Sequence, residues 1–255
     1  MTVSDVPTRC HVLREDAELA DVIPRERRER AIAECTAPEL VLAPGSWGGR
    51  GSLGFRGGIG VLVLDGLMVR RVGIEGRFGA ELIGEGDLLR PDEQSISPLL
   101  PLTTNWSIVL PTRVAALDAS FEQRVAQYPE LVHGLIARAI QRSKNLAVNM
   151  AIVHQARVDV RLHMLLWHLA ARWGRVRSDG TVLQLRLTHA VLADLVAARR
   201  PTVTTALSEL SRRGLVQSDG ETWLLSGDAP GDLLAFAREA GSRADEAGVH
   251  HGRID

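Results

Sequence analysis

Apolar positions change their rhythm along the chain, and each rhythm predicts a different element. Between Leu40 and Leu117 they come as short β-branched runs broken by glycine: ELVLAPG, GVLVLDG, LMVRRV, AELIGEGD and WSIVLPTRVAALD. Short strands at intervals of about 8–12 residues suggest a small antiparallel sandwich or barrel. Val61 to Leu64 run into Asp65-Gly66, a strong turn pair, and Leu67-Met68-Val69 follow. That order predicts a hairpin turning at Asp65-Gly66.

From Pro129 to Gln155 glycine nearly disappears. Leu131, Leu135, Ile136, Ala139, Ile140, Leu146, Ala147, Met150 and Val153 recur at spacings of three and four, one apolar stripe on a long helix. Arg138, Gln141, Arg142, Lys144, Asn145 and Asn149 are assigned to its other faces. Such a helix, about 40 Å long at 1.5 Å per residue, outruns a small domain. A homodimer pairing two such helices covers the surplus, and a helix buried across its own domain is the alternative. Asp159 is placed as the N-cap of a second helix, VRLHMLLWHLAARWG, ending at Gly174. VRSDGTVLQLRL reads as a hairpin turning at Asp179-Gly180. Upstream, PRERRERAIAEC (24–35) reads as a short helix beginning near its proline, with alternating charges marking a solvated face.

The pattern at 188–225 is more informative. Thr188 caps a short helix with Val191, Leu192, Leu195 and Val196 on its apolar side and the small Ala193 at a position of close approach. A turn at AARR follows. Pro201 then stands in the first turn of a second helix, where its missing N–H is harmless. Val203, Leu207 and Leu210 share the inward face. Arg200, Thr202, Thr204, Thr205, Ser208 and Arg212 are left outward, with Arg199 ahead and Arg213 behind. A helix offering arginines and short hydroxyls, with no acid on its leading turn, suits a DNA major groove. LVQSDGETWLL adds a hairpin turning at Asp219-Gly220, which completes a winged helix-turn-helix.

Composition narrows the remaining classes. The 255 residues are 45% apolar and 24% charged, enough for a core and inconsistent with global disorder. The formal net charge of −1 argues against a generally polyanion-coated protein, yet five arginines face two acids between Arg186 and Arg213. Cys10 and Cys35 are the only cysteines and lack CxxC spacing, so disulfide scaffolds, four-cysteine zinc sites and iron–sulfur clusters are not expected. No apolar run approaches a membrane span and the first residues carry no signal-peptide pattern, which points to the cytoplasm. The sequence contains no GxSxG, HExxH or Walker loop, so no enzymatic activity is expected.

LTHAVLADLVAARRPTVTTALSELSRRGLV resembles the C-terminal helix-turn-helix of the Crp/Fnr, or catabolite-activator-like, family of bacterial transcription regulators. Thr188, Leu192-Ala193, Ala197, Arg200-Pro201-Thr202-Val203 and Leu207 through Val216 carry the likeness. VLVLDGLMVRRV and GRFGAELIGEGDLLRP look like that family's β-roll, so the resemblance covers about residues 38–226. It implies an α+β fold with an N-terminal cyclic-nucleotide-binding-like β-roll, a long dimerisation helix and a C-terminal winged helix-turn-helix. The corresponding divisions are 1–37, an extension with the short helix; 38–128, the β-roll sensory domain; and 129–157, the dimerisation helix. They continue with 158–226, the DNA-binding domain, and 227–255, an extension expected to be partly disordered.

The resemblance makes Arg200 the principal base-reading arginine, gives Thr188 a phosphate contact and places Thr202 and Thr205 in the groove. Position 205 is often basic in the family, so its threonine is a departure, with Arg199 and Arg212 as compensating cations. The implied partners are double-stranded DNA with a roughly palindromic site, a second copy of the chain, and RNA polymerase. The competing class is a small-molecule or cyclic-nucleotide receptor whose helix-turn-helix contacts protein. For a cyclic nucleotide, the family places Gly-Glu-Leu after the Gly-Asp turn and an arginine about ten residues later. Here Leu88 to Glu93 follow Gly86-Asp87, and SPLLPLTTNW holds no arginine, leaving Arg90 as the local cation. No cyclic-nucleotide cofactor is therefore expected, and the effector is unknown. His163 and His168 are five apart and read as partly packed core rather than metal ligands, and Trp47 and Trp106 read as core packing, with the lining of a small apolar pocket as the alternative. His250-His251 belong to the tail.

Overall fold

The computed structural model describes residues 8–48, 58–91 and 100–231. Residues 1–7, the Asp92-Glu93 and Ser97 to Leu99 positions, and the tail with His250-His251 lie outside the described residues. The chain divides into two compact units, Met1–Val148 and Asn149–Asp255.

In the first unit β1 (Thr8–His11) leads through two short helices, α1 (Val12–Glu15) and α2 (Ala17–Asp21), to α3 (Arg25–Glu34). Then come β2 (Thr36–Leu42), β3 (Gly45–Trp47), β4 (Gly60–Ile74), β5 (Arg77–Gly84), β6 (Leu88–Leu89) and β7 (Leu102–Leu117). The strands form one antiparallel sheet ordered β1-β2-β7-β4-β5, with β3 also on β7 and β6 on β4. α4 (Ala119–Val125) and α5 (Pro129–Val153) follow.

Strand alternation sorts the core. Leu62 and Leu64 turn to one side, where they meet Leu13, Leu19, Phe121, Leu131 and Leu135 from the helices. Val61 and Val63 turn to the other, with Met68, Ile83 and the Trp47–Trp106 pair, whose rings meet edge to face at 5.4 Å. Full burial of one such side chain contributes about 1.5–3 kcal/mol.

The hairpin expected at Asp65-Gly66 does not form there. β4 runs straight through it, and the chain reverses at Glu75-Gly76, where both residues have positive φ (50° and 77°). Asp65-Gly66 is instead an irregularity opposite Pro111 of β7, with the register shifting on both sides. A proline cannot donate to the ladder, so a central strand carrying one must bulge. Gly66, at φ 100°, permits that approach: a Cβ there would lie 2.4 Å from the Pro111 carbonyl oxygen.

The α3 helix begins after Pro24 as expected, with Arg30–Glu34 paired at 2.7 Å on its solvent side. Its other contacts reach the start of α5: Arg27 pairs with Glu130 at 3.1 Å, and Tyr128 Oη donates to Glu34 at 2.6 Å.

The α5 stripe divides in a way the spacing did not predict. Leu131 and Leu135 are buried, but Ile136, Ile140 and Met150 are 50–64% exposed. Polar residues take the inner side instead. Arg138 is bound by Asp16 at 2.9 Å, Arg142 is bound by Glu81 at 2.7 Å, and Asn145 is buried.

The second unit holds α6 (Val158–Trp173), β8 (Gly174–Arg177), β9 (Gly180–Leu183), α7 (His189–Leu195), α8 (Arg200–Arg212), β10 (Val216–Ser218) and β11 (Trp223–Leu225). Its sheet runs β10-β11-β9-β8. Arg157, not Asp159, is the N-cap of α6. The Asp159 carboxylate is drawn away to the Arg157 guanidinium, at 2.6 and 3.0 Å, and that partner holds it below the usual carboxylate range. Gly174 ends the helix in an extended conformation.

Candidate nucleic-acid interface

Three local devices build the reading head. The Thr188 hydroxyl accepts the Val191 N–H at 3.2 Å and starts α7. The turn after α7 places Ala197 at φ 50°, with the Ala198 N–H donating to Ala193 at 2.9 Å. Pro201 then sits in the first turn of α8, which buries Val203, Ala206, Leu207 and Leu210 against α6 and α7. Beyond Gly214 the wing turn closes on the Asp219 carboxylate. It accepts the Glu221 and Thr222 N–H groups at 3.0 and 2.7 Å and is held below its ordinary range by them.

All eight expected contact residues, Thr188, Arg199, Arg200, Thr202, Thr204, Thr205, Ser208 and Arg212, are exposed. They fall into two groups. Thr188, Thr204, Ser208 and Arg212 line one groove of about 650 Å³, shared with the wing through Ser218 and Trp223. Arg199, the N-cap of α8, and Arg200, its first residue, stand with Thr202 and Thr205 at the leading end and outer face. Neither guanidinium of Arg199 or Arg200 has an acidic partner among the described residues. Arg212 differs, because Glu209 one turn earlier pairs with it. Its charge is partly spent inside the helix, which weakens it as a compensating cation.

The hydroxyls share a chemical bias. Thr204, Thr205 and Ser208 each donate to the carbonyl four residues back, at 3.2, 3.2 and 3.0 Å. A hydroxyl has one proton, so these groups turn their lone pairs outward and present acceptors, together with the threonine methyls. Cytosine and adenine amino groups and the thymine methyl are the complementary features of a major groove.

His189 was missed by the sequence reading. Its Nδ1 lies 2.9 Å from Thr204 Oγ1, joining the start of α7 to the outer face of α8, and it lines the same groove. With the threonine proton given to Arg200, the pair is satisfied by an Nδ1–H tautomer. The sequence signal was only its place after a capping threonine; the fifteen-residue reach to Thr204 is a property of the fold.

Two charged contacts brace the unit from α6. Arg161 donates to the carbonyls of Gln155, Val196 and Ala197 at 2.6, 3.1 and 3.4 Å, so it holds the end of α7 and the turn before Arg199. Asp159 lies 3.7 Å from Arg213 at the far end of α8. His163 accepts the Trp167 indole N–H at 3.0 Å, which occupies the lone pair a metal would need. Among the described residues no group of three His, Cys, Asp or Glu side chains is placed to hold a metal ion, and no helix is long and apolar enough to cross a membrane.

Comparison with known proteins agrees with this geometry. Residues 160–228 match the Crp-like helix-turn-helix domain. Over 149 residues the chain is 28% identical to a CRP-like cAMP-activated global transcriptional regulator of Mycobacterium tuberculosis, a stretch covering 57% of this chain and 64% of that relative's length. Among solved structures, a cyclic nucleotide-binding domain containing protein from Listeria monocytogenes superposes with a TM-score of 0.61 at 12% identity, over 82% of this chain and 96% of that one. A CooA variant from Carboxydothermus hydrogenoformans superposes with a TM-score of 0.57 at 15% identity, over 89% and 94%. Residues 160–228 thus carry a Crp-like helix-turn-helix domain, and the chain as a whole is similar in fold to these solved structures.

Proposed function

We propose that the chain is a sequence-specific DNA-binding transcription regulator that acts as a homodimer. The observation that carries this reading is the leading end of α8: two exposed arginines, Arg199 and Arg200, with no acid in the first turn of the helix. An arginine there can pair bidentately with guanine, while Thr188 and the hydroxyls of the groove meet phosphates and base edges. The cAMP-activated regulator of M. tuberculosis, with which the chain shares the 149-residue match, supports the same class.

The dimer rests on α5. Ile136, Ile140, Ala147 and Met150 are all exposed and recur at four, seven and three residues, so they make one continuous seam of the kind paired helices bury. Two copies related by a two-fold axis would present two α8 helices to half-sites about one DNA turn apart, which makes the operator a rough palindrome. Contact with RNA polymerase is an extension of the same reading.

Selection of bound fragments from the source genome tests the function directly. The expected result is enrichment of one palindromic motif. A library that stays unenriched at low and moderate salt would remove the reading and favour a receptor whose helix-turn-helix contacts protein.

A further inference from the structure

A chain of this fold invites the question of what occupies the β-roll, because the tuberculosis relative is cAMP-activated. A cyclic phosphate needs free N–H donors and a cation. The Gly84–Asp87 turn offers few of the first. The Gly84 N–H donates to the Asp87 carboxylate at 2.9 Å, the Gly86 N–H to Val63 at 2.9 Å and the Asp87 N–H back to Gly84 at 3.1 Å. Arg138 covers the turn so closely that a Cβ on Gly86 would lie 2.9 Å from its Nη1.

Cations are also committed. Arg90 donates to the Gly58 carbonyl at 3.1 Å, and the sequence has no lysine or arginine between Arg90 and Arg113. Arg138 is held by Asp16 and Glu18, at 2.9 and 2.8 Å. The residues present do not fit a cyclic nucleotide.

Something anionic is nevertheless in place. The Glu81 side chain, 7% exposed, accepts Nε and Nη2 of Arg142 at 2.7 and 2.9 Å and Nη2 of Arg70 at 3.1 Å. Arg70 is also its direct cross-strand partner. One carboxylate therefore ties β4, β5 and α5 together through two guanidinium groups, a forked geometry that carboxylates and phosphates share.

We infer that Glu81 stands where an anionic effector would stand: it fastens α5 to the β-roll from within the chain, so DNA binding needs no cyclic nucleotide. The DNA readout rests on the proposed function, whereas a melting readout does not.

The test compares full-length wild type with Glu81→Gln and with the double variant Glu81→Gln/Arg142→Gln, using inorganic phosphate and cAMP as probes. Glu81→Gln removes the carboxylate that Arg70 and Arg142 share, which is expected to open an anion site and to loosen α5. Wild-type melting and DNA affinity should ignore both probes. Glu81→Gln should lose about tenfold or more in DNA affinity and regain part of it with phosphate, which also raises its melting temperature. The double variant, which removes the Arg142 arm of the fork as well, should lose DNA affinity without phosphate rescue, and its own melting curve shows whether it is folded. A rise of about tenfold in wild-type DNA affinity on adding cAMP overturns the inference. So do variants that bind DNA as wild type does. If wild type enriches no DNA at all, the melting arm still decides: phosphate must stabilise Glu81→Gln and leave wild type unchanged, and any other pattern sinks the proposal.

Discussion

Arg161 and Val196 are joined by a hydrogen bond of 3.1 Å between the guanidinium and the last carbonyls of α7, and the same side chain holds Gln155 at 2.6 Å. The negative end of α7 thus receives a cation at the point where the chain turns toward Arg199. A lysine is a point charge and cannot serve carbonyls on both sides. Arg161→Lys is expected to lower the stability of the second unit by about 1–3 kcal/mol, read by urea unfolding through tryptophan fluorescence. An unchanged midpoint would show that the contact contributes nothing.

Arg200→Ala should weaken binding to the selected operator by about 1–3 kcal/mol and relax the base choice at one position. Binding to random DNA should fall much less, because it depends on phosphate contacts spread over the surface. Equal loss on both DNAs would reassign Arg200 to a phosphate.

Ala197 occupies left-handed backbone at φ 50° and is exposed, so its methyl is disfavoured there without any packing in return. Ala197→Gly is expected to stabilise the protein by about 1 kcal/mol. Calorimetry should record a higher melting temperature with unchanged DNA specificity.

Ile140 is 51% exposed on the α5 seam. If α5 pairs as proposed, Ile140→Glu should leave the chain folded and turn the proposed dimer into a monomer by sedimentation, with loss of binding to the selected operator. A variant that remains dimeric would move the interface elsewhere.

Acid should destabilise the second unit before it protonates most carboxylates. Burial, with Arg172 nearby, pushes the His168 imidazole down to about 4 from 6.5, and burial shifts His163 in the same direction. Above 6.5 both states are neutral and the histidines contribute no pH dependence. Between 6.5 and 4 the unfolded chain takes a proton that folded His168 refuses, so stability falls as pH falls, by about 1.4 kcal/mol per unit for one such histidine. Urea midpoints across that window should slope accordingly, and His168→Gln should flatten the slope.

The parts of this molecule legible in its sequence are those decided locally. Thr188 as a cap, Pro201 in a first turn and Val203, Leu207 and Leu210 on one face all act within a few residues, and the structure has them where the pattern puts them. Asp65-Gly66 was misread because its partner is Pro111, more than forty residues later, and only the pairing of β4 with β7 turns a hairpin signal into a bulge. The inner face of α5 was hidden for the same reason. An arginine looks solvent-bound until Glu81 and Asp16 arrive from other elements. The strand β1 and the two short helices after it were likewise invisible, since four residues such as TRCH become a strand only by pairing with Thr36 to Glu39.

The apolar edge of α5 has a consequence for dosage. If the proposed pairing through this stripe holds and Glu81 takes the place of an effector, the input of such a chain would be its own abundance. Below the dissociation constant of such a pair, and with the operator far from saturation, occupancy would grow with the square of chain concentration, so a twofold change in synthesis would be read as about a fourfold change in output.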